Sequence, residues 1–120
     1  MESVNIKRIY APHSKEDGFR ILVDRLWPRG VKKETARVDL WLKEVAPTTT
    51  LRTWFGHDPD KWASFSRKYL DELKAEKAAV ENLLECIKAN RVVTLLYGAK
   101  DEEHNQALVL QRFVKTLLKA

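Results

Sequence analysis

Two short segments, Phe19-Arg20-Ile21-Leu22-Val23-Asp24 and Val92-Val93-Thr94-Leu95-Leu96-Tyr97, are apolar almost without a break. A strand with one wet face alternates apolar and polar residues, whereas a continuous run belongs to a strand covered on both faces. Helices give a parallel sheet that cover. The long interval between the two runs has room for the helical crossover that parallel pairing requires. The pair therefore predicts an α/β fold. It is a small parallel-type sheet of three or slightly more strands with helices packed around it, in one domain over residues 1–120.

The remaining pattern fills in the other elements. Ile6-Lys7-Arg8-Ile9-Tyr10 alternates at period two and reads as a first strand. Pro12, Ser14, Asp17 and Gly18 mark a loop before the second strand. Val38 to Val45 reads as a short helix, with Leu42 and Val45 on one face, stopping before Pro47. Thr48, Thr49 and Thr50 offer a cap for a helix over Leu51-Arg52-Thr53-Trp54-Phe55, which Gly56 ends. Trp54 and Phe55 are expected in the core. Asp58, Pro59 and Asp60 then form a start signal, since a side-chain acceptor, a fixed φ and a negative charge all suit a helix N-terminus. Trp62, Phe65, Tyr69 and Leu73 recur at helical spacing, as do Ala79, Val80, Leu83, Leu84 and Ile87. Cys86 lies beside the second stripe and is expected to be a small buried thiol. After Val92–Tyr97, a last helix is expected from about Asp101, capped there and burying Leu110, Phe113, Val114, Leu117 and Leu118.

Three element ends gather polar and aromatic side chains. The first is Asp24-Arg25-Leu26-Trp27-Pro28-Arg29-Gly30, directly after the second strand. Open α/β sheets bind ligands just past the carboxyl ends of their strands. Arginine offers a planar fork that fits phosphate or carboxylate, and tryptophan offers a stacking face. Arg25, Trp27 and Arg29 are therefore candidate ligand-binding residues. The competing structural reading has Asp24 pair with Arg25 or Arg52 and Trp27 fill the core edge, and for Trp27 that packing role is the preferred one. The second end is Leu51 to Asp58, where Arg52 is a further candidate contact and His57 a candidate acid–base group. The third is Tyr97 to Asn105, where Lys100 and His104 are candidate acid–base groups and Asn105 a candidate ligand contact.

Charge bears on the partner. The net charge is +5, and it is even along the chain: residues 1–60 carry 11 basic and 9 acidic side chains, residues 61–120 carry 11 and 8. A basic balance favours anionic partners. The local excess is Arg20 to Arg37, with six basic residues and two acids, in which Lys32 and Lys33 are expected to face solvent. Nucleic acid is a second partner class, but no helix-turn-helix with a basic recognition helix supports it. No phosphate loop is present, since Gly98 stands alone, and no metal-ligand spacing links His13, His57 and His104. No cofactor is implied. One cysteine, no basic-then-apolar order in Met1 to Asn5 and no apolar run of membrane length point to a cytoplasmic protein with no membrane partner. A homodimer is compatible with a domain this small.

These segments together resemble the YeaO-like family of bacterial and archaeal proteins, a domain of unknown function. The resemblance rests on Gly18 through Gly30, then Trp41, Ala46-Pro47, Leu51 through Pro59, Trp62, Phe65, Tyr69, Glu72-Leu73, Lys100-Asp101 and His104-Asn105. It covers nearly the whole chain. It implies a compact cytoplasmic α/β domain and no established reaction. From the residues themselves the leading expectation is a protein that binds an anionic small molecule, a nucleotide or phosphorylated metabolite. The alternatives are a nucleic-acid module and a structural domain whose arginines are locked in internal ion pairs.

Overall fold

The run Val92–Tyr97 forms strand β4, and a parallel strand lies on each side of it. On one side β1 (Ser3–Arg8) pairs along its whole length, from Ser3 opposite Val92 to Arg8 opposite Tyr97. On the other side β2 (Phe19–Leu22) pairs from Phe19 opposite Val93 to Leu22 opposite Leu96. A short edge strand, β3 (Leu40–Trp41), lies beside Ile21 and Leu22. The order is thus β1-β4-β2-β3, all parallel, in a computed structural model that describes residues 3–119.

The two faces of the sheet are covered differently. Val4, Ile21, Val23, Val93, Leu95 and Tyr97 point to one face. There they meet α3 (Trp62–Ala75), α4 (Lys77–Asn90) and α5 (Gln106–Lys119). Phe65, Tyr69 and Leu73 recur every four residues along α3, and Ala79, Val80, Leu83 and Ile87 along α4, so each helix buries one stripe. The Tyr69 hydroxyl, fully buried, donates to the Val45 carbonyl at 2.5 Å. Leu22 and Leu96 point to the other face, where Ile9, Trp27, Val31, Val38 and Trp41 form a thinner layer.

That second face is closed by polar fastening. β1 reaches β2 through only ten residues, 9–18, passing over β4 with a single 3-10 turn at Lys15–Asp17. Gly18 ends the turn at φ +65°, so close to β4 that a Cβ there would lie 2.2 Å from the Val92 carbonyl oxygen. Arg20 is 2% exposed and spreads its fork over three acceptors. It donates to the Asp17 carboxylate, to the Arg37 carbonyl at 2.9 Å and to the Ala36 carbonyl at 3.1 Å. Lys7 adds a second cation to Asp17 at 3.0 Å. The Thr94 hydroxyl donates to the Asp17 carbonyl at 2.7 Å, which ties the crossover to the middle strand.

Several expectations are corrected. The first strand is Ser3–Arg8, two to three residues earlier than the alternation suggested. Val38 to Val45 is not a helix: Leu40–Trp41 is strand β3, followed by a 3-10 turn at Lys43–Val45. Pairing with Ile21 and Leu22 sets that strand, while Leu42 and Val45 are buried in either conformation. A short helix α1 (Lys33–Ala36) occupies the second loop, and α2 runs Thr49–Phe55 with Thr48 as its cap. Phe55 is buried but Trp54 is exposed, with Lys61 and Lys68 over its ring. Cys86 is partly buried against the core. The last helix starts at Gln106 rather than near Asp101, and Leu117 is exposed. No helix among the described residues is long and apolar enough to cross a membrane.

Arg20→Ala is expected to destabilise the fold by about 3–5 kcal/mol, because it strips a buried carboxylate of its main partner and leaves two carbonyls unserved. Arg20→Lys should recover only part of this, since an ammonium cannot span the three acceptors. Urea unfolding of the three proteins measures both effects.

Candidate functional site

After β2 the chain turns to the thin face on its way to β3, whereas after β4 it turns to the helical face and enters α5. The two strands are neighbours, so their continuations diverge and leave a gap at their carboxyl ends. Such switch points are where open α/β sheets hold ligands. Here the gap is a cleft of about 450 Å³. The segment after β2 forms one wall, α2 and the start of α3 a second, and the segment after β4 a third. Phe55 and Phe65, stacked with ring centroids 4.2 Å apart, supply an apolar surface within it.

Asp24 stands at the junction of these walls. Its Oδ2 accepts from the Gly98 N–H at 2.9 Å, and its Oδ1 accepts from the side-chain amide of Gln106. The indole of Trp41 donates to the Asp24 carbonyl at 2.7 Å, which pins the backbone as well. Gly98 makes the approach feasible, since a Cβ there would lie 2.7 Å from Asp24 Oδ2. Burial pushes the Asp24 carboxyl up to about 6, against the opposing pull of the Gly98 and Gln106 donors and the Arg52 charge. The pairing with Arg25 or Arg52 that the structural alternative supposed is not made at ion-pair distance. The carboxylate is held by two neutral donors instead.

The three arginines differ in employment. Arg25 donates from Nε to the Pro47 carbonyl at 3.2 Å and from Nη2 to the Ala46 carbonyl at 2.8 Å, so much of its fork fixes the wall. Arg29 and Arg52 are exposed, line the cleft, and make no ion pair or side-chain hydrogen bond among the described residues. None of the three is locked in an internal ion pair. Trp27 lines the cleft but its indole N–H donates to the Val31 carbonyl at 2.7 Å, and its ring meets Trp41 edge-on at 5.5 Å.

The other candidates fall at different depths. His57 lines the cleft at φ 58°, directly after Gly56 at φ 54°. His104 also lines it, with Nδ1 2.8 Å from Asp101 Oδ2 and its ring edge-on to Trp62 at 5.3 Å. Asn105 reaches the cleft, but its side chain is spent at the start of α5. Its Oδ1 accepts from the Leu108 N–H at 3.0 Å and its Nδ2 donates to the Asp101 carbonyl at 3.0 Å. Asn105 is therefore the cap that the sequence assigned to Asp101, which instead accepts the N–H groups of Glu103 and His104. Lys100 is exposed and lies outside the cleft lining. No group of three or more potential metal ligands is assembled among the described residues. Two lining residues had no sequence signal of their own. Gln106 is 82 positions from the carboxylate it serves, and Tyr10 holds the Arg29 carbonyl at 2.8 Å from 19 positions away.

Residues 3–120 match the family described as the inactive DUF488-N3 subclade. The chain is 42% identical over 115 residues to the uncharacterised protein YeaO of Escherichia coli, covering 96% of this chain and 99% of that protein. It is 35% identical over 111 residues to uncharacterised proteins of Mycobacterium bovis and Mycobacterium tuberculosis, covering 92% of this chain and 92% of each. No solved structure matches.

Two outcomes are expected from this geometry. The Asp24 carboxyl lies at about 6 when folded against an ordinary 3.8, so between those values the folded protein keeps a proton that the unfolded chain has lost. That contribution is fully present below about pH 4 and is lost as pH rises through 6, by roughly 3 kcal/mol. Denaturant unfolding of wild type and Asp24→Asn from pH 4 to 7.5 should show the variant gaining relative stability over that window and levelling above it. Glu16, Asp17 and Asp101 are shifted downward and give the opposite slope, but they are common to both proteins and cancel in the difference. Second, His57→Gly should raise stability by about 1 kcal/mol in the same assay, because a left-handed φ costs a side-chain-bearing residue that much.

Proposed function

The chain belongs to the inactive DUF488-N3 subclade, and we propose that it binds an anionic small molecule, a nucleotide or phosphorylated metabolite, in the cleft beyond β2 and β4. The observation that carries this reading is the pair of unpartnered guanidinium groups, Arg29 and Arg52, on a cleft at a topological switch point. An arginine fork that protein groups leave unfilled is suited to a bidentate phosphate or carboxylate. Arg25 contributes its charge while holding the Ala46–Pro47 wall in place. Trp27 acts as the backing of its wall and Phe55 as an apolar surface for the uncharged part of the ligand. His57 and His104 are then contacts at the rim.

The word inactive in the family's description supports binding without turnover. A recess of this shape fits a small ligand better than a nucleic-acid strand, because the cations converge on a cleft rather than follow a stripe across the surface.

Thermal unfolding with a panel of nucleotides and phosphorylated metabolites tests the reading. A ligand at about a hundredfold its Kd stabilises by roughly 2.7 kcal/mol, which raises the melting temperature of a domain this size by about 10 °C. Arg52→Ala should retain the unliganded melting temperature and lose most of that shift. No shift with any anion, or an equal shift in the variant, rejects the proposal. Arg25→Ala is a poorer probe, since it also releases the Ala46 and Pro47 carbonyls.

A further inference from the structure

A carboxylate is an odd neighbour for an anion, and Asp24 lines the same cleft as Arg52. Its charge needs a reason. The structural task of Asp24 is to accept the Gly98 N–H and meet the Gln106 amide. An asparagine would do both, with its oxygen towards Gly98 and the Gln106 amide rotated to present its own oxygen. That neutral pair would make as many hydrogen bonds and bury no charge. An ionised carboxylate in the same place is costly when only neutral donors serve it. The charge therefore serves something other than the fold.

The acceptor count shows what it can serve. An ionised carboxylate has about four lone-pair positions. Protein donors engage one on each oxygen of Asp24, which leaves acceptor capacity on both. Gly98 has no side chain to cover Oδ2, and the group borders the cleft rather than the closed core. Within the anion-binding reading above, we propose that Asp24 is the selectivity residue of the cleft. Its carboxylate accepts hydrogen bonds from hydroxyl, amino or ring N–H groups of the ligand, so the site takes phosphorylated sugars or nucleotides in preference to donor-free phosphates. Arg52 and Arg29 hold the charged end of such a ligand, and Asp24 reads its uncharged end. A ligand without donors meets only the repulsion.

Three phosphate monoesters separate these contributions: ribose 5-phosphate and adenosine monophosphate, which carry donors, and phenyl phosphate, which carries none beyond its phosphate. Affinities are measured by calorimetry at pH 7.5, where Asp24 is ionised, for wild type, Asp24→Asn and Arg52→Ala. Wild type should bind at least one donor-bearing ester about tenfold or more tightly than phenyl phosphate, the scale of one charge-assisted hydrogen bond. Asp24→Asn should weaken that ester about tenfold and strengthen phenyl phosphate. The opposite signs cannot come from general loosening of the cleft. Arg52→Ala should weaken all three alike. If all three bind wild type equally, or if Asp24→Asn shifts all three in the same direction, the selectivity role is wrong while anion binding stands. If none binds wild type, the selectivity role falls, and anion binding falls with it when the wider panel above also gives no shift. Equal binding of the three esters by wild type overturns the selectivity role even if the Asp24 variant does not fold.

Discussion

Successive parallel strands need a crossover, and the one from β1 over β4 to β2 has ten residues and no α-helix with which to cover the sheet. Everything on the thin face depends on how that shortage is met. Arg20 meets it by reaching from β2 to the Asp17 carboxylate and to two carbonyls at the end of α1. The crossover, the β2 strand and the end of α1 are thereby joined through one guanidinium. The face is finished by Ile9, Leu22, Leu96 and the two tryptophans, which together make a layer rather than a second core.

The same asymmetry creates the cleft. With the three long helices confined to one face, the chain leaving β4 is committed to that face, and the chain leaving β2 is committed to the other. Asp24 stands at the point of parting and links the two exits through Gly98 and Gln106. Arg25 links the same loop to Ala46 and Pro47. The walls are thus held by side-chain-to-backbone bonds, while two other arginines remain unengaged at the surface of the cleft.

What could be read from the sequence was whatever local pattern determines. The unbroken apolar run of β4 required cover on both faces, and Asp58-Pro59-Asp60 marked the start of the helix that carries Phe65 and Tyr69. β3 escaped because two residues carry no period, and its conformation is decided by a partner strand 19 positions away. The role of Arg25 escaped because sequence displays a guanidinium but not the two carbonyls that occupy it, 21 and 22 positions further on. Asp24 was read as a partner for arginine because opposite charges invite that pairing. Its real partners lie 74 and 82 positions away and are neutral. The helix cap moved from Asp101 to Asn105 because Asp101 closes a tight turn of its own before α5 begins.

The place of β4 in the sheet also governs the order in which the molecule can come together. β4 is last of the four strands in the chain yet lies between β1 and β2, and among the described residues β1 has no other partner. As the chain leaves the ribosome, β1 waits unpaired until Val92–Tyr97 emerges, and before then the sheet can hold only the two-residue contact between β2 and β3. The Arg20–Asp17 fastening closes around a strand that is not yet made. Assembly is therefore concentrated in one late event of long loop closure, the slow class of folding step, with the apolar faces of β1 and β2 exposed until it occurs.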